Sequence, residues 1–540
     1  MSVAGLDVDI LSATLHLPAD IPAGGPDEPL DAAGAGRWLD RLQAGLATTG
    51  LARAMATANL PPGRWYLRRV DLPVRLEVGR PEIALVTDWA EQLVAAVRRT
   101  TLAGGPHVVH YQDDEAAIGD LVRGVVGGDH RRAWAWAAAG VVRGGDPDLV
   151  ARPRDALLAV AARHPGPALV AVLEVLRGPG GLAALDRLLG PAGWARLAGL
   201  VAGAAPVASV ATPPAGAPVP ASPAGPGRDA GNPAVATLAE WIVGASAVAR
   251  QVQRSPLRPG PAVLAALALL VVADADPGSL HRTVAPLVAE VAARLAPIPS
   301  AAPGAFVPPA AAAPEVAAAG RADPAAPGHT GSAGRQAGGP GAQDPPAAAA
   351  SPAGSPAPDQ DAEDRAEAET GWPTGWAGLA FLLAVAGDAG LPAAALEEPP
   401  LAGRPLRWVL WMLAGQVVPV AGDDPARLLL AGLTPDRADA VLREPRPDED
   451  EAVALAGLAA VWAAAAAARL TAAGAEPAGD PDRSVVLTMA RRPGVVRGGL
   501  GWLEVELPLS HVELSIRCAG LDLDPGWVPW LGTVVRYRYA

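Results

Sequence analysis

Proline and glycine interrupt this chain so often that no long continuous helix can form. The 540 residues include 58 prolines and 61 glycines, and each proline inside a helix removes a backbone hydrogen bond and clashes with the preceding turn. The pattern therefore predicts short helices separated by turns. Because 540 residues also exceed what one ordinary hydrophobic core organises, we expect several folded parts joined by linkers.

The first part of the chain, residues 1–114, has the pattern of a small α+β module. Apolar and polar side chains alternate over residues 67–78, as in a half-buried strand, and Pro73 indicates that this strand lies at a sheet edge. The other predicted elements are helices over residues 32–58 and 83–102, a turn at residues 60–63, a short strand over 107–111 and an edge strand over 6–17.

The middle of the chain is predicted to be helical and to contain two linkers. Patterns of Ala, Leu and Val broken by Gly and Pro predict helical regions over residues 115–204 and 234–296, the second interrupted by a turn at 276–278. Residues 205–233 are rich in Pro, Ala and Ser, which is typical of a linker. Residues 297–370 are dominated by Ala, Pro and Gly, so we expect a disordered linker that cannot bury enough apolar surface to offset the entropy of ordering.

The last part is predicted to contain a helical region, residues 371–480, and a β-rich module, residues 481–540. The predicted helices span residues 376–391, 404–418, 424–433 and 451–470, and the predicted strands span 485–489, 495–497, 502–507 and 533–539. Residues 510–518 allow two alternatives, because Ser510 and Glu513 have the spacing of a capping box whereas the apolar alternation suits a strand. The predicted fold class is α+β, predominantly α-helical, with small α+β modules at both ends.

The charge and the residue types exclude several classes of function. The net charge of −13 argues against nucleic acid as a partner, because phosphate binding depends on clustered positive charge. All 43 basic residues are arginine, so a lysine-containing phosphate loop, a Schiff-base enzyme and a kinase of the usual kind are excluded. Cys518 is the only cysteine, which excludes an intramolecular disulfide and a multi-thiolate metal site.

The N-terminus and the apolar runs indicate a soluble cytoplasmic protein. Asp7 and Asp9 lie where a secretory signal needs a basic start and an unbroken apolar run. Residues 263–272 are too short to cross a bilayer, which takes about 20 residues. Residues 452–468 are nearer that length but are mostly alanine, so a buried soluble helix is favoured over a membrane span.

No cluster of residues predicts a catalytic, cofactor or metal site. His107, His110 and Asp113 form the most enzyme-like group, but on a strand the two imidazoles point to opposite faces. Asp522 and Asp524 offer two carboxylates for a cation, yet they precede a Pro-Gly pair that is typical of a turn. We therefore expect no enzyme, no cofactor and no bound metal.

Tryptophan is unusually frequent, with 15 residues against two phenylalanines and four tyrosines. Tryptophan is enriched at the centres of protein interfaces, although burial in the chain's own core is its commoner use. The candidate interaction residues all lie in the last third of the chain and are Trp376, Leu379, Trp502, Trp527, Trp530, Tyr537 and Tyr539.

Short motifs in both terminal parts match the pattern of one protein family. Residues 376–391 begin an apolar helix with Ala-Gly-Leu, and residues 424–433 form a helical segment that ends in Gly-Leu. A Gly-Trp strand at 501–506, a Pro-Trp corner at 527–530 and a Leu-Pro turn before an acidic-apolar strand at 60–72 complete the set. These motifs resemble those of the contractile injection system tape measure family of phage-tail-like particles.

The resemblance implies a non-enzymatic part in building a tube and sheath, with length control as the family's role. A fully helical ruler of 540 residues would reach about 800 Å at 1.5 Å per residue, but the prolines and glycines exclude it. If the protein measures the length of a tube, it must do so through folded ends separated by a tether, or through the number of its copies. The expected partners are tube, sheath, baseplate or cap proteins that dock on the terminal modules.

Two other functions are open as alternatives. The chain could be a soluble adaptor or chaperone that serves such a machine and is absent from the finished particle. It could instead be an uncharacterised hydrolase that uses His107, His110 and Asp113. The adaptor or chaperone would still serve a contractile injection system, whereas the hydrolase would need a substrate to cleave.

Overall fold

Helices make up most of the chain in the computed structural model, and small sheets complete it, one of them near the C-terminus. The structure describes residues 32–47, 51–55, 60, 63–75, 80–204, 232–282, 284–296, 371–475 and 481–540. The predicted edge strand at 6–17, the linker residues 205–231 and the tract 297–370 lie outside these residues. The predicted fold class, α+β and predominantly α-helical, is confirmed.

The N-terminal part contains a two-stranded sheet and three helices. Strands β1 (Arg64–Leu67) and β2 (Val108–Tyr111) are antiparallel, with Trp65 opposite His110. The helices are α1 (Ala32–Gly45), α2 (Leu51–Met55) and α3 (Glu82–Ala103). They enclose a small apolar core that includes Leu42, Leu46, Leu85 and Trp89.

The strand predicted over residues 67–78 is wrong. The chain pairs only over β1, and residues 68–75 are irregular. Two features keep the strand short. Strand β2 offers only four residues for pairing, and Pro73 has no N–H group to donate to a β-ladder. The remaining residues of the prediction, 76–78, lie outside the described residues.

The helix predicted over residues 32–58 is helical wherever the structure describes it, with a π-helical turn at residues 46–47, while residues 48–50 and 56–58 lie outside the described ranges. Helix α1 ends at Gly45, and α2 begins at Leu51. A Cβ atom on Gly45 would lie 3.0 Å from the side chain of Val86, so glycine allows α1 to approach α3 closely. Glycine also has a low helix propensity, which favours the change from α-helix to π-helix after this residue.

Short helices fill the middle of the chain, as the sequence predicts. They are α4 (Asp114–Gly127), α5 (Ala133–Ala138), α6 (Pro153–Arg163), α7 (Pro165–Arg177), α8 (Gly181–Ala204, kinked at Gly190), α9 (Pro233–Ala245), α10 (Ala247–Arg254), α11 (Pro261–Ala275) and α12 (Val284–Leu295). Helices α6, α7, α9 and α11 begin with proline, where the missing N–H group removes no helical bond. Residues 270–280 are buried without exception, so α11 forms the centre of this part.

The last part combines helices with a five-stranded sheet. Its helices are α13 (Leu382–Asp388), α14 (Leu391–Glu397), α15 (Leu406–Val417), α16 (Pro425–Leu430), α17 (Asp439–Leu442), α18 (Glu449–Ala472), α19 (Pro481–Ala490) and α20 (Leu514–Cys518). Its strands are β3 (Trp372–Thr374), β4 (Gly494–Gly499), β5 (Trp502–Leu507), β6 (Gly526–Val528) and β7 (Thr533–Tyr539). The predicted strands at 495–497, 502–507 and 533–539 are confirmed.

The five strands lie in the order β3-β4-β5-β7-β6. Strands β5 and β7 are parallel and the other neighbours are antiparallel. Both edge strands, β3 and β6, have three residues, and such short edges offer little backbone to another chain. Strand β3 lies at the start of the region predicted to be helical, residues 371–480, so the sheet joins residues from both sides of the predicted boundary at 481.

Two local predictions in this part have a clear outcome. The strand predicted over 485–489 is wrong, because these residues belong to α19, where Val485, Val486 and Met489 form one buried helical face. Residues 514–518 are helical, which decides between the two alternatives for that segment. The capping box is not formed there, because α20 begins after Glu513, whose carboxylate instead binds Ser515 at 2.7 Å.

Helix α18 has the length and the hydropathy of a membrane span. Its buried face contains Leu455, Trp462 and Leu470, which contact the neighbouring helices. Glu451 in its first turn closes a capping box with Asp448. The apolar window of α18 is 39% buried, and Val453 and Val461 on the opposite face are exposed, so one face of this helix packs on the protein and the other does not.

The described residues before and after the tract 297–370 belong to one compact unit. We call residues 32–296 the N-terminal half and residues 371–540 the C-terminal half. Asp276 joins them, because its buried carboxylate accepts hydrogen bonds from the backbone N–H groups of Leu406, at 2.9 Å, and Arg407, at 3.1 Å. These groups open helix α15, whose own N-cap residue, Pro405, has no side chain that can accept such a bond.

The C-terminal sheet rests on helix α7 of the N-terminal half. The indole of Trp527 covers Gly166, where a Cβ atom would lie 2.5 Å from the ring, and Gly501 approaches the side chain of Val170 equally closely. Arg536 on β7 adds ion pairs to α4 and its N-cap, at 2.6 Å to Asp113 and 3.0 Å to Glu115.

We expect Asp276→Ala to lower the free energy of unfolding by about 2 to 4 kcal/mol, because buried N–H donors lose their acceptor. Urea titration followed by circular dichroism measures the change. Asp423→Ala is the matched control, because Asp423 is exposed and makes no side-chain hydrogen bond with another described residue. Equal effects of the two substitutions would contradict the capping role of Asp276.

The contact between Gly166 and Trp527 predicts a coupled pair. Gly166→Ala should destabilise the protein by about 1 to 3 kcal/mol, because the new methyl group overlaps the indole. In a Trp527→Ala background the same substitution should cost at least about 1 kcal/mol less, which a double-mutant cycle measures. The docking of the sheet on α7 is wrong if Gly166→Ala costs the same in both backgrounds.

Candidate functional site

The first candidate interaction residues pack against the protein's own core. Leu379 has no exposed surface. Its neighbour Gly378 lets the chain approach α19, since a Cβ atom there would overlap the carbonyl oxygen of Met489. Trp376 is half-buried, with the guanidinium of Arg491 at 5.2 Å from the ring centroid. The Ala-Gly-Leu motif therefore has a packing role within this chain.

The three candidate tryptophans of the sheet are half-buried as well. Trp502 lies against Gly499, and its Nε1 atom is 3.0 Å from the Cβ position of that glycine. Trp527 covers helix α7. Trp530 lies against Gly387, and its buried N–H group has no hydrogen-bond partner among the described residues. All three rings thus contact the chain's own backbone at glycines.

The two candidate tyrosines hold β7 against the core. The Tyr537 hydroxyl donates to the carbonyl oxygen of Ala380 at 2.8 Å, and its ring meets Phe381 edge-on at 5.3 Å. The Tyr539 hydroxyl donates to the carboxylate of Asp522 at 3.3 Å. Burial raises the pKa of Tyr537, and burial together with the charge of Asp522 raises the pKa of Tyr539 to about 12.

Exposed apolar side chains lie in the connection from β5 to β6. Leu509 is 65% exposed, Val512 44% and Leu514 77%. We call these three residues the connector surface. The sequence prediction missed them because it favoured aromatic side chains, and an aliphatic residue between two strands has no signal that separates exposure from burial.

His107, His110 and Asp113, the enzyme-like group, have different structural roles. His110 stacks on Trp65 at 4.2 Å between ring centroids, and His107 is exposed before β2. Asp113 caps helix α4 through the N–H group of Ala116 at 2.8 Å and pairs with Arg536. Burial alone would raise the pKa of Asp113, but the Ala116 N–H group and the charge of Arg536 hold it below its usual range.

The two carboxylates near the Pro-Gly turn already have partners. Asp522 accepts a hydrogen bond from Arg517 at 2.9 Å, and Asp524 accepts one from the backbone N–H group of Tyr537 at 2.6 Å. This arrangement favours a structural turn. Within the described ranges, no group of three or more His, Cys, Asp or Glu side chains is placed to hold a metal ion.

Sequence reasoning also missed a cleft of about 510 Å³ between the two halves. Its walls come from α7, α9, α10 and α11 on one side and from α15 and residues 433–444 on the other. Arg177, Arg407 and Arg437 line it. These arginines are so far apart along the chain that no sequence motif connects them.

Comparisons with protein-family models, with curated proteins and with solved structures gave no match. The resemblance of the motifs therefore stays a prediction.

The buried phenol of Tyr537 predicts a change in alkaline stability. Its raised pKa means that the folded protein keeps a proton that the unfolded chain loses above about pH 10. The stability due to the neutral phenol is present below that pH and falls as the pH rises. Tyr537→Phe should be less stable than the wild type by about 1 kcal/mol at pH 8, because the bond to Ala380 is lost.

At pH 11 this difference should shrink or reverse, because phenylalanine cannot ionise. Urea unfolding at both pH values measures it. Tyr66→Phe serves as the control for loss of a phenol, because the Tyr66 hydroxyl makes no hydrogen bond with another described residue. An unchanged deficit of Tyr537→Phe at pH 11 would show that the phenol does not resist ionisation.

Proposed function

We propose that this protein is a non-enzymatic structural or assembly component of a contractile injection system, acting in the cytoplasm. One observation carries the proposal: the C-terminal segments that resemble the tape measure family meet in one hydrophobic core. Leu379, Leu433, Leu503 and Val528 represent these segments, and all four are buried in that core. Motifs that are scattered along the chain thus belong to one folded module, as expected if they were retained together.

The structure narrows how such a protein could control length. The described residues on both sides of 297–370 belong to one unit, so this tract does not separate two independent folded ends. We therefore favour measurement or assembly through the number of copies over a tether that is stretched between two ends.

The connector surface is the proposed docking site for a tube, sheath, baseplate or cap protein. The candidate tryptophans and tyrosines contact the chain's own glycines, the Ala380 carbonyl group and Asp522, so they are used in packing and the connector surface is the exposed alternative. Exposed aliphatic groups gain free energy when a partner covers them, at about 25 cal/mol per Å² of apolar surface. The short edge strands make pairing through the sheet edge less favourable.

A double substitution tests this site in cells that assemble the particle. Leu509→Asp with Leu514→Asp should leave the fold intact, because both side chains are exposed, and should reduce the amount of chain that sediments with particles at least about tenfold. Ile83→Asp is the control, because Ile83 is 79% exposed on α3. Electron microscopy then compares particle number and length.

Normal particles with normal amounts of the double variant would contradict the docking site. Mass spectrometry of wild-type particles separates the main proposal from the alternative of an adaptor or chaperone, which predicts that the chain is absent from purified particles. Full function after replacement of His107 and His110 by alanine would exclude the hydrolase.

A further inference from the structure

The cleft between the two halves contains more positive charge than its own carboxylates balance. Arg177, Arg407 and Arg437 come from α7, from α15 and from the turn before α17. Of the three, Arg177 is paired, since its Nε atom lies 2.8 Å from the carboxylate of Asp274. The other two have no carboxylate partner among the described residues.

Arg407 is the deepest of the three, with 7% of its surface exposed. Its Nη2 atom donates to the carbonyl oxygen of Leu531 at 3.3 Å, and its buried Nε–H group has no partner among the described residues. A charge buried in this way is costly unless an opposite charge or further hydrogen bonds compensate it. Burial lowers the pKa of Arg407, and Arg177 lowers it further, while Asp276 and Asp274 offset part of that effect.

Arg437 lies in the wall opposite α7, and its side chain makes no hydrogen bond or ion pair with another described residue. Burial, followed by the like charges of Arg177 and Arg407, lowers its pKa to about 9. Burial is the main cause of this shift, and Asp274 and Asp436 offset part of the repulsion by the two arginines.

The carboxylates of the cleft are already occupied, with one exception. Asp274 binds Arg177, the Ser246 hydroxyl at 2.6 Å and the Val248 N–H group at 3.1 Å. Asp439 pairs with Arg443, and Glu444 pairs with Arg404 at 3.0 Å. The exception, Asp436, is exposed, where water screens its charge.

We propose that this cleft binds a small oxyanion with at least two negative charges, carried by phosphate or carboxylate groups, between Arg407 and Arg437. A guanidinium presents its N–H groups as a fork that matches both oxyanions. The volume of about 510 Å³ falls within the range of small-molecule sites. Trp241 and Leu433 add apolar surface for an organic part of the ligand.

Arg407 and Arg437 both belong to the C-terminal half, and the N-terminal half supplies the facing wall of the cleft, which includes Arg177 and Trp241. The bound anion would neutralise Arg407 and Arg437 together, in a place where water only partly reaches. This binding function is independent of the connector surface, and its failure leaves the assembly proposal untouched.

Isothermal titration calorimetry on the full chain tests the site with two probes, inorganic pyrophosphate and citrate, at constant ionic strength. At least one probe should bind with a Kd below about 1 mM, and the stronger of the two identifies phosphate or carboxylate as the preferred group. Arg437→Gln should weaken binding at least about tenfold, because a charged hydrogen bond is lost. Arg443→Gln, at the same cleft but paired with Asp439, should change the Kd less than about twofold.

Thermal unfolding without any probe separates a binding role from a structural one. If Arg437 serves a ligand, Arg437→Gln should keep or raise the midpoint, because the repulsion among the arginines is relieved, and it should lose the increase that the probe gives the wild type. A lower midpoint without probe would indicate a structural arginine and would overturn the proposal. The absence of binding below about 10 mM, or equal binding by wild type and Arg437→Gln, would overturn it as well.

Discussion

The buried carboxylate of Asp276 is the contact on which the arrangement of the two halves depends. A helix begins with N–H groups that have no partner inside the helix, and here they lie where water cannot serve them. Asp276 supplies the acceptor from the other half, so α15 is complete only when the halves are together. Arg282, in the same half as Asp276, is a donor where Asp276 is an acceptor. Its guanidinium donates to the carbonyl oxygens of Ala402, at 2.7 Å, and Arg404, at 2.8 Å. The N-terminal half thus satisfies both backbone donors and backbone acceptors of the C-terminal half around the start of α15.

This dependence agrees with the compact unit that the described residues of the two terminal modules form together. The aromatic residues that the sequence marks as interaction residues are largely used within the chain, where they join strands to helices. The three residues of the connector surface differ from these aromatic residues, because their side chains are exposed. In the cleft, the side chain of Arg437 makes no hydrogen bond or ion pair with another described residue.

The sequence predicts the regular elements best where one period dominates. Strands β5 and β7 alternate cleanly and were located to the residue, whereas the short apolar run at 485–489 suits either period and belongs to a helix. The strand at 67–78 fails because its alternation is not matched by a partner of equal length. The Pro-Gly turn after Asp276 is visible in the sequence, but its capping of α15 is not, because 130 residues separate donor and acceptor. The arginine cleft is hidden for the same reason.

The parallel pairing of β5 and β7 has a consequence for synthesis. Strand β7 lies inside the sheet, between β5 and β6, although it is the last of the five to leave the ribosome. Gly166 on α7 stays uncovered until Trp527 on β6 has been made. Arg536 on β7, which pairs with Asp113 across 423 positions, is made later still. Contacts of such long range form slowly. The nascent chain therefore carries an unfinished apolar surface through most of its translation, which is the period in which a general folding chaperone would act on it.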